Sequence, residues 1–190
     1  FLISAQDVDI KGTLGGDKNR RTTFRFNSAK DYGRLKAGFN VSYTRGQSEV
    51  AGVSPYWEVF NTTGFVKLSD FKDWRNDVKS SPNHYFNEYY QNPYFIKDRS
   101  RNTEHVDNVI AQMELNFKVT NWMNITYRLG STMNIKDGKN TTSAFVFSDY
   151  AKNVTHKNNA SNDLTASVFD YSGRETRLSS DLFITAQKEF

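Results

Sequence analysis

A chain of 190 residues with 37% apolar residues, mean hydropathy -0.71 and a formal net charge of +4 is long enough for one domain with a core, yet too polar for an ordinary packed globule. Aromatic residues reach 15%, which excludes a disordered chain, and no apolar run approaches the roughly 20 residues of a transmembrane helix. The absence of cysteine excludes disulfides, thiolate metal sites and cysteine nucleophiles, and the 25 basic residues are scattered among 21 acidic ones with no dense basic run.

Phe1–Ile10 is rich in strand formers, although its alternation is imperfect. A Gly-rich connection, Lys11–Asn19, follows. Its Gly12-Thr13-Leu14-Gly15-Gly16 lacks the Gly-Lys-Ser/Thr that would make a phosphate loop. In Thr22–Lys30, Phe24 and Phe26 share one face, and Arg21, Thr23, Arg25 and Asn27 share the other. Lys30–Gly33 reads as a short turn because Asp31 and Gly33 are turn residues. In Arg34–Thr44, Leu35, Ala37, Phe39, Val41 and Tyr43 alternate with Lys36, Gly38, Asn40, Ser42 and Thr44. A long connection then runs from about Arg45 to Val106.

The clearest signal comes next. Val109–Val119 places Val109, Ala111, Met113, Leu115, Phe117 and Val119 on one face. Ile125–Ile135 does the same with Ile125, Tyr127, Leu129, Met133 and Ile135. Successive side chains on a strand point to opposite faces, so a period of two predicts strand. The short Thr120–Met123 joins these two as an antiparallel hairpin. A second long connection spans about Lys136 to Glu175, with a polar tip at Asn158–Asn162. Thr176–Phe190 closes the pattern, with Leu178, Leu182, Ile184 and Ala186 on one side.

The expected fold is all-β: about six antiparallel strands of a larger transmembrane β-barrel, each with one lipid face and one lumen face. Short turns at one end and long loops at the other match the periplasmic and extracellular ends of outer-membrane barrels. Trp122 and Phe190 fall where an interfacial aromatic girdle belongs. A soluble carbohydrate-binding β-sandwich would also alternate. Its strands usually run nearer 5–6 residues, whereas these runs are about twice as long.

The long loop carries a more specific likeness. Asp73-Trp74-Arg75-Asn76-Asp77, followed by Pro82-Asn83-His84-Tyr85-Phe86-Asn87-Glu88-Tyr89-Tyr90-Gln91-Asn92-Pro93-Tyr94, resembles a surface-loop pattern of the SusC/RagA-like TonB-dependent outer-membrane transporters of Bacteroidetes. The hairpin from Phe24-Arg25-Phe26-Asn27 through Asp31-Tyr32-Gly33 to Asn40-Val41-Ser42-Tyr43 is similar to their barrel repeat. So are Lys118-Val119-Thr120-Asn121-Trp122 and Ser148-Asp149-Tyr150-Ala151. The likeness covers nearly the whole chain and rests on the order and spacing of these motifs together.

The resemblance implies a 22-stranded barrel occluded by an N-terminal plug, coupled to inner-membrane energy through a TonB box and lidded by a SusD-like lipoprotein. Such pairs import glycans or peptides across the cell outer membrane. Plug, TonB box and the other strands are not in this sequence, which opens at Phe1 and closes at Phe190 within a strand pattern. Residues 1–190 are therefore expected to be a partial barrel domain. A siderophore-type receptor without a lipoprotein lid fits the Trp74–Tyr94 pattern less well.

Catalysis is not expected, since no Gly-x-Ser-x-Gly, His-Glu-x-x-His or phosphate loop occurs. His84, His105 and His156 fall in predicted loops or loop edges, without ligand spacing. Asp7 and Asp9 share a strand face and mark its exit into solvent, and Asp70, Asp73 and Asp77 lack the EF-hand pattern. No cofactor or metal is expected. Six Asn-x-Ser/Thr sequons begin at Asn40, Asn61, Asn124, Asn140, Asn153 and Asn159; Asn40 and Asn124 fall in strands or beside a turn, so they read as composition. The functional candidates are the loop aromatics, which offer apolar area with a polar handle for sugars, peptides or a protein partner. Trp57, Trp74, Arg75, Tyr85, Tyr89, Tyr90 and Tyr94 are the expected substrate or partner contacts, against the competing expectation that they pack the loop on itself.

Overall fold

The computed structural model describes residues 1–153 and 162–187. Six strands form a single antiparallel sheet in chain order: β1 (Leu2–Lys11), β2 (Lys18–Asp31), β3 (Leu35–Ala51), β4 (Ser100–Lys118), β5 (Met123–Thr142) and β6 (Ser167–Ala186). Every neighbour in sequence is a neighbour in the sheet, and β1 and β6 are its two open edges. Short helices α1 (Tyr56–Phe60), α2 (Pro93–Arg99) and α3 (Asp149–Asn153) and a 3-10 turn at Leu68–Phe71 sit in the two long connections. Among the described residues no helix is long and apolar enough to cross a membrane.

The register explains the two faces. Leu115 pairs with Ala37 on one side and Tyr127 on the other, and Tyr127 pairs with Leu182. Phe39, Met113 and Leu129 form a parallel row. Side chains in register share a face, so Phe24, Phe26, Phe39, Val41, Leu115, Phe117, Leu129 and Leu182 gather on one side. Arg25, Asn40, Glu114 and Arg128 gather on the opposite side, as the alternation predicts. No second sheet covers the apolar side among the described residues: Phe39 is 46% exposed and Leu182 64%.

At one end the turns are tight. Tyr32 N–H donates to the Leu35 carbonyl at 2.8 Å, Gly33 N–H to the Asp31 carboxylate at 2.8 Å, and Gly33 has φ of +80°. A glycine is favoured there because hairpin turns of the primed kind need a positive φ. Val119 and Thr120 N–H groups close the second turn on the Met123 carbonyl.

At the other end the strands run further than the alternation predicts. Arg45–Ala51 and Ser100–Val106, expected as loop, are paired strand, and so are Lys136–Thr142 and Ser167–Glu175. Apart from Val50, Val106 and the Val168, Phe169 and Tyr171 group, both faces are polar there, so no sustained apolar period marks them. The backbone ladder, a cross-strand ion pair and a cross-strand hydrogen bond hold them instead: Lys136 to Glu104 at 2.7 Å, and the His105 ring with Asp137 at 3.2 Å. His105 therefore sits within β4, not at a loop edge, and Asn140 lies within β5. Asp7, expected to mark an exit into solvent, is exposed, lies within β1, and also engages Arg20 at 2.9 Å and Thr22 at 2.6 Å on β2. Phe190, His156, Asn159 and most of the Asn158–Asn162 tip lie outside the described residues.

Candidate functional site

The long connection from 52 to 99 folds into a small unit with its own core, and its geometry starts from Asn92. This residue is fully buried and caps α2: its side-chain oxygen accepts from Tyr94 N–H at 2.9 Å. Asparagine suits a helix N-cap and proline the first helical position, which explains the Asn92-Pro93 pair. The Asn92 amide nitrogen meanwhile donates to the carbonyls of Phe71 and Ser80, at 2.8 and 2.7 Å. One side chain thus ties the 3-10 turn, the Ser80 turn and α2 together. Asp77 accepts from the Ser80 hydroxyl at 2.5 Å and its N–H at 3.1 Å, and that hydroxyl bond first among them holds the carboxyl below the usual carboxylate range.

Aromatic rings fill the rest. Phe71 meets Tyr85 edge-on at 5.2 Å, and Trp74 meets Phe95 at 5.0 Å. Phe145, from the second long connection, contacts both Phe95 and Phe147 at about 5 Å. The two connections are therefore one packed unit. Polar links reinforce the join: Ser148 N–H donates to Asn83 at 2.8 Å, and the Arg99 guanidinium donates to the carbonyls of Ser143 and Thr165. Burial pushes the Arg99 pKa down from its ordinary value. The β1–β2 turn joins in too. Arg101 donates to Asp17 at 2.9 Å and to the Gly16 carbonyl at 2.8 Å, and Lys97 to the Gly15 carbonyl at 3.0 Å.

Trp74 and Arg75 converge on Asp98. The indole N–H donates to its carboxylate at 3.0 Å, Arg75 donates at 3.2 Å, and the guanidinium lies 4.1 Å from the Trp74 ring centroid. Burial raises the Asp98 pKa, but hydrogen bonds from Lys97 and Trp74 and the charges of Lys97 and Arg75 outweigh it and leave the carboxyl lowered.

The expected contact residues divide accordingly. Tyr85 is buried, and Trp74, Tyr90 and Tyr94 are half-buried. Arg75 is exposed but committed to Asp98 and Trp74. Trp57 and Tyr89 are open, at 63% and 66%. Trp57 stacks on Phe60 at 6.2 Å and 22° between ring planes, on the short helix α1. Asn92, Asp98, Phe145 and Phe147 were not among the expected residues; the Asn-Pro pair was the available cue for the first, and no local pattern marks the others. Among the described residues no group of three or more acidic, histidine or cysteine side chains could hold a metal ion.

The polar face of the sheet is the second candidate. Hollows of about 860, 800 and 530 Å³ lie over it, lined by face-sharing residues such as Asn40, Glu114, Arg128 and Arg177. Glu114 and Arg128 pair across β4 and β5 at 2.7 Å, and Arg128 also lies over the Phe183 ring. This face is thus the hollowed, hydrogen-bonding one. No protein-family model matches the chain, and no curated protein matches it.

Proposed function

We propose that residues 1–190 are a stretch of an outer-membrane β-barrel transporter of the SusC/RagA-like kind, importing glycans or peptides with a SusD-like surface lipoprotein and drawing energy from TonB through a region outside this sequence. The two-faced sheet carries the reading. Its apolar rows occupy Leu35–Tyr43 and the positions in register with them. That is roughly nine residues per strand, the about 9–11 that a tilted strand needs to cross a bilayer. The other face is polar and hollowed, as a lumen wall would be.

The open edges point the same way. Unpaired strand edges are not tolerated in hydrocarbon, so in a membrane β1 and β6 need further strands beside them. A β-sandwich would need a second sheet against the apolar face, and exposure of Phe39 and Leu182 weighs against it. In this reading the packed loop unit lies outside the cell, and Trp57, Phe60 and Tyr89 are its outward aromatics, offered to solute or lipoprotein.

Site-directed spin labelling tests the proposal, helped by the absence of cysteine from residues 1–190. Labels at Phe39, Leu115, Leu129 and Leu182 should be reached by oxygen from the bilayer. Labels at Asn40, Glu114 and Arg128 should be reached by a water-soluble nickel reagent. Water-exposed labels on both faces would refute the membrane assignment.

A further inference from the structure

The turn end of the polar face holds an arrangement that the barrel reading leaves unused. Leu35 stands opposite Phe117, and one residue on, Lys118 N–H donates to the Arg34 carbonyl at 2.7 Å. Arg34 and Lys118 are therefore cross-strand neighbours. Lys36, two residues along β3, joins them opposite Asn116. Like charges directly opposite one another destabilise a sheet. Of the three, only Lys36 has an ion pair among the described residues, with Asp31 at 3.4 Å. All three line a hollow of about 800 Å³ together with Asn116, Asn121 and Asn124. The other acid in its wall, Glu114, is already engaged by Arg128.

We propose that this hollow binds an extended acidic peptide segment with carboxylates at alternate positions. Arg34 closes the turn and Lys36 follows two residues later on β3, so at most about 7 Å separates their origins. Alternate side chains of an extended partner stand about 6.8 Å apart, within that reach. The asparagine amides supply donors and acceptors for that partner's backbone. A small anion such as phosphate calls for donors converging on one point, whereas these cations stand apart along an open face. The repulsion between Arg34 and Lys118 is then relieved by the ligand's carboxylates. The site is independent of whether the opposite face meets lipid.

The experiment is fluorescence anisotropy of a fluorescein-labelled Gly-Asp-Ser-Asp-Ser-Asp-Gly peptide, titrated with the purified protein in detergent. The acidic peptide should bind and its Asn-for-Asp counterpart should not. Salt at 0.5 M should weaken binding, since the screening length falls to about 4 Å. Arg34→Gln and Lys118→Gln should each weaken it about threefold, the scale of one exposed ion pair. Lys118→Gln should also leave the thermal midpoint unchanged or raised, because it removes the like-charge pair. Equal binding of the Asn peptide, or unchanged affinity in both variants, would overturn the proposal. Full displacement by millimolar inorganic phosphate would overturn it in favour of a small-anion site. Binding is read without transport, so its failure leaves the barrel reading standing.

Discussion

Tyr171 lies flat across Gly138, its registered partner on the neighbouring strand, so that a Cβ at position 138 would overlap the phenol ring. The ring covers the bare glycine backbone, and its hydroxyl reaches past β5 to donate to Glu104 on β4 at 2.7 Å. A glycine inside a strand weakens it and marks close approach; here an aromatic from the next strand fills the gap, a recognised rescue. Three strands are stitched together where the long apolar rows have ended.

Gly138→Val should therefore cost about 1–3 kcal/mol, the range for overpacking. Tyr171→Ala removes the obstacle, so the double variant should be less destabilised than the sum of the two singles. Denaturant unfolding of all four proteins in one detergent checks this. Strict additivity would show that the two residues do not share the space.

Leu129→Arg and Thr132→Arg place the same charge on opposite faces of β5. If Leu129 lies near the bilayer midplane, the first should cost about 2–4 kcal/mol and the second much less. Refolding titrations into lipid give both numbers, and equal costs would count against a lipid-facing apolar side.

How far this two-sidedness could be read in advance depended on the apolar rows. Met113, Leu115 and Phe117 declare β4 because only a strand puts them together. Glu104, His105 and Asn102 lie on the same strand but alternate polar with polar, so nothing distinguishes them from loop. Their pairing is visible only once Lys136 and Asp137 are brought opposite. The loop shows the converse. Its aromatics were legible as a group, yet whether each turned inward was decided by long-range partners. Trp74 is held by Asp98, and Phe95 by Phe145 from a connection some fifty residues on.

Asp98 makes the loop unit sensitive to acid. Its carboxyl is lowered in the folded state, so its contribution is complete above the ordinary aspartate range, near pH 4, and is lost as pH falls through the lower folded value. Trp74 fluorescence, isolated by Trp57→Phe and Trp122→Phe, should report loosening below about pH 4. Asp98→Asn should show the loosened signal at neutral pH and lose the acid transition. A pH-independent spectrum in the parent would contradict the assignment.

Asn92→Ala removes a helix cap worth about 1 kcal/mol and leaves two carbonyls without their donor, at about 1–3 kcal/mol for a buried polar group. The damage should stay local. Limited proteolysis should cut between 52 and 99 far faster than in the parent, while the sheet keeps its circular dichroism. Unchanged cleavage would mean that Asn92 is not the tie it resembles.

Variants at Trp57 and Tyr89 test whether the outward aromatics form a partner surface. Trp57→Ala or Tyr89→Ala should reduce lipoprotein co-purification if the residue is an interface anchor, with losses of about 2 kcal/mol or more. Reduced solute uptake with intact co-purification would identify a solute contact instead. Trp74→Ala and Tyr85→Ala should lower the yield of folded protein, because both rings pack inside the loop. Folded, fully active protein from all four variants would remove the functional claim for this aromatic set.

The residue that follows Asn92 has a chemical bearing on how long the loop unit lasts. Asparagine ages by attack of the next backbone nitrogen on its side-chain amide, which closes a succinimide ring and expels ammonia. Proline has no N–H to give up, so Pro93 blocks that route at the position where an added negative charge would face the carbonyls of Phe71 and Ser80. The Asn-Pro order that starts the helix also keeps its central amide from wearing out.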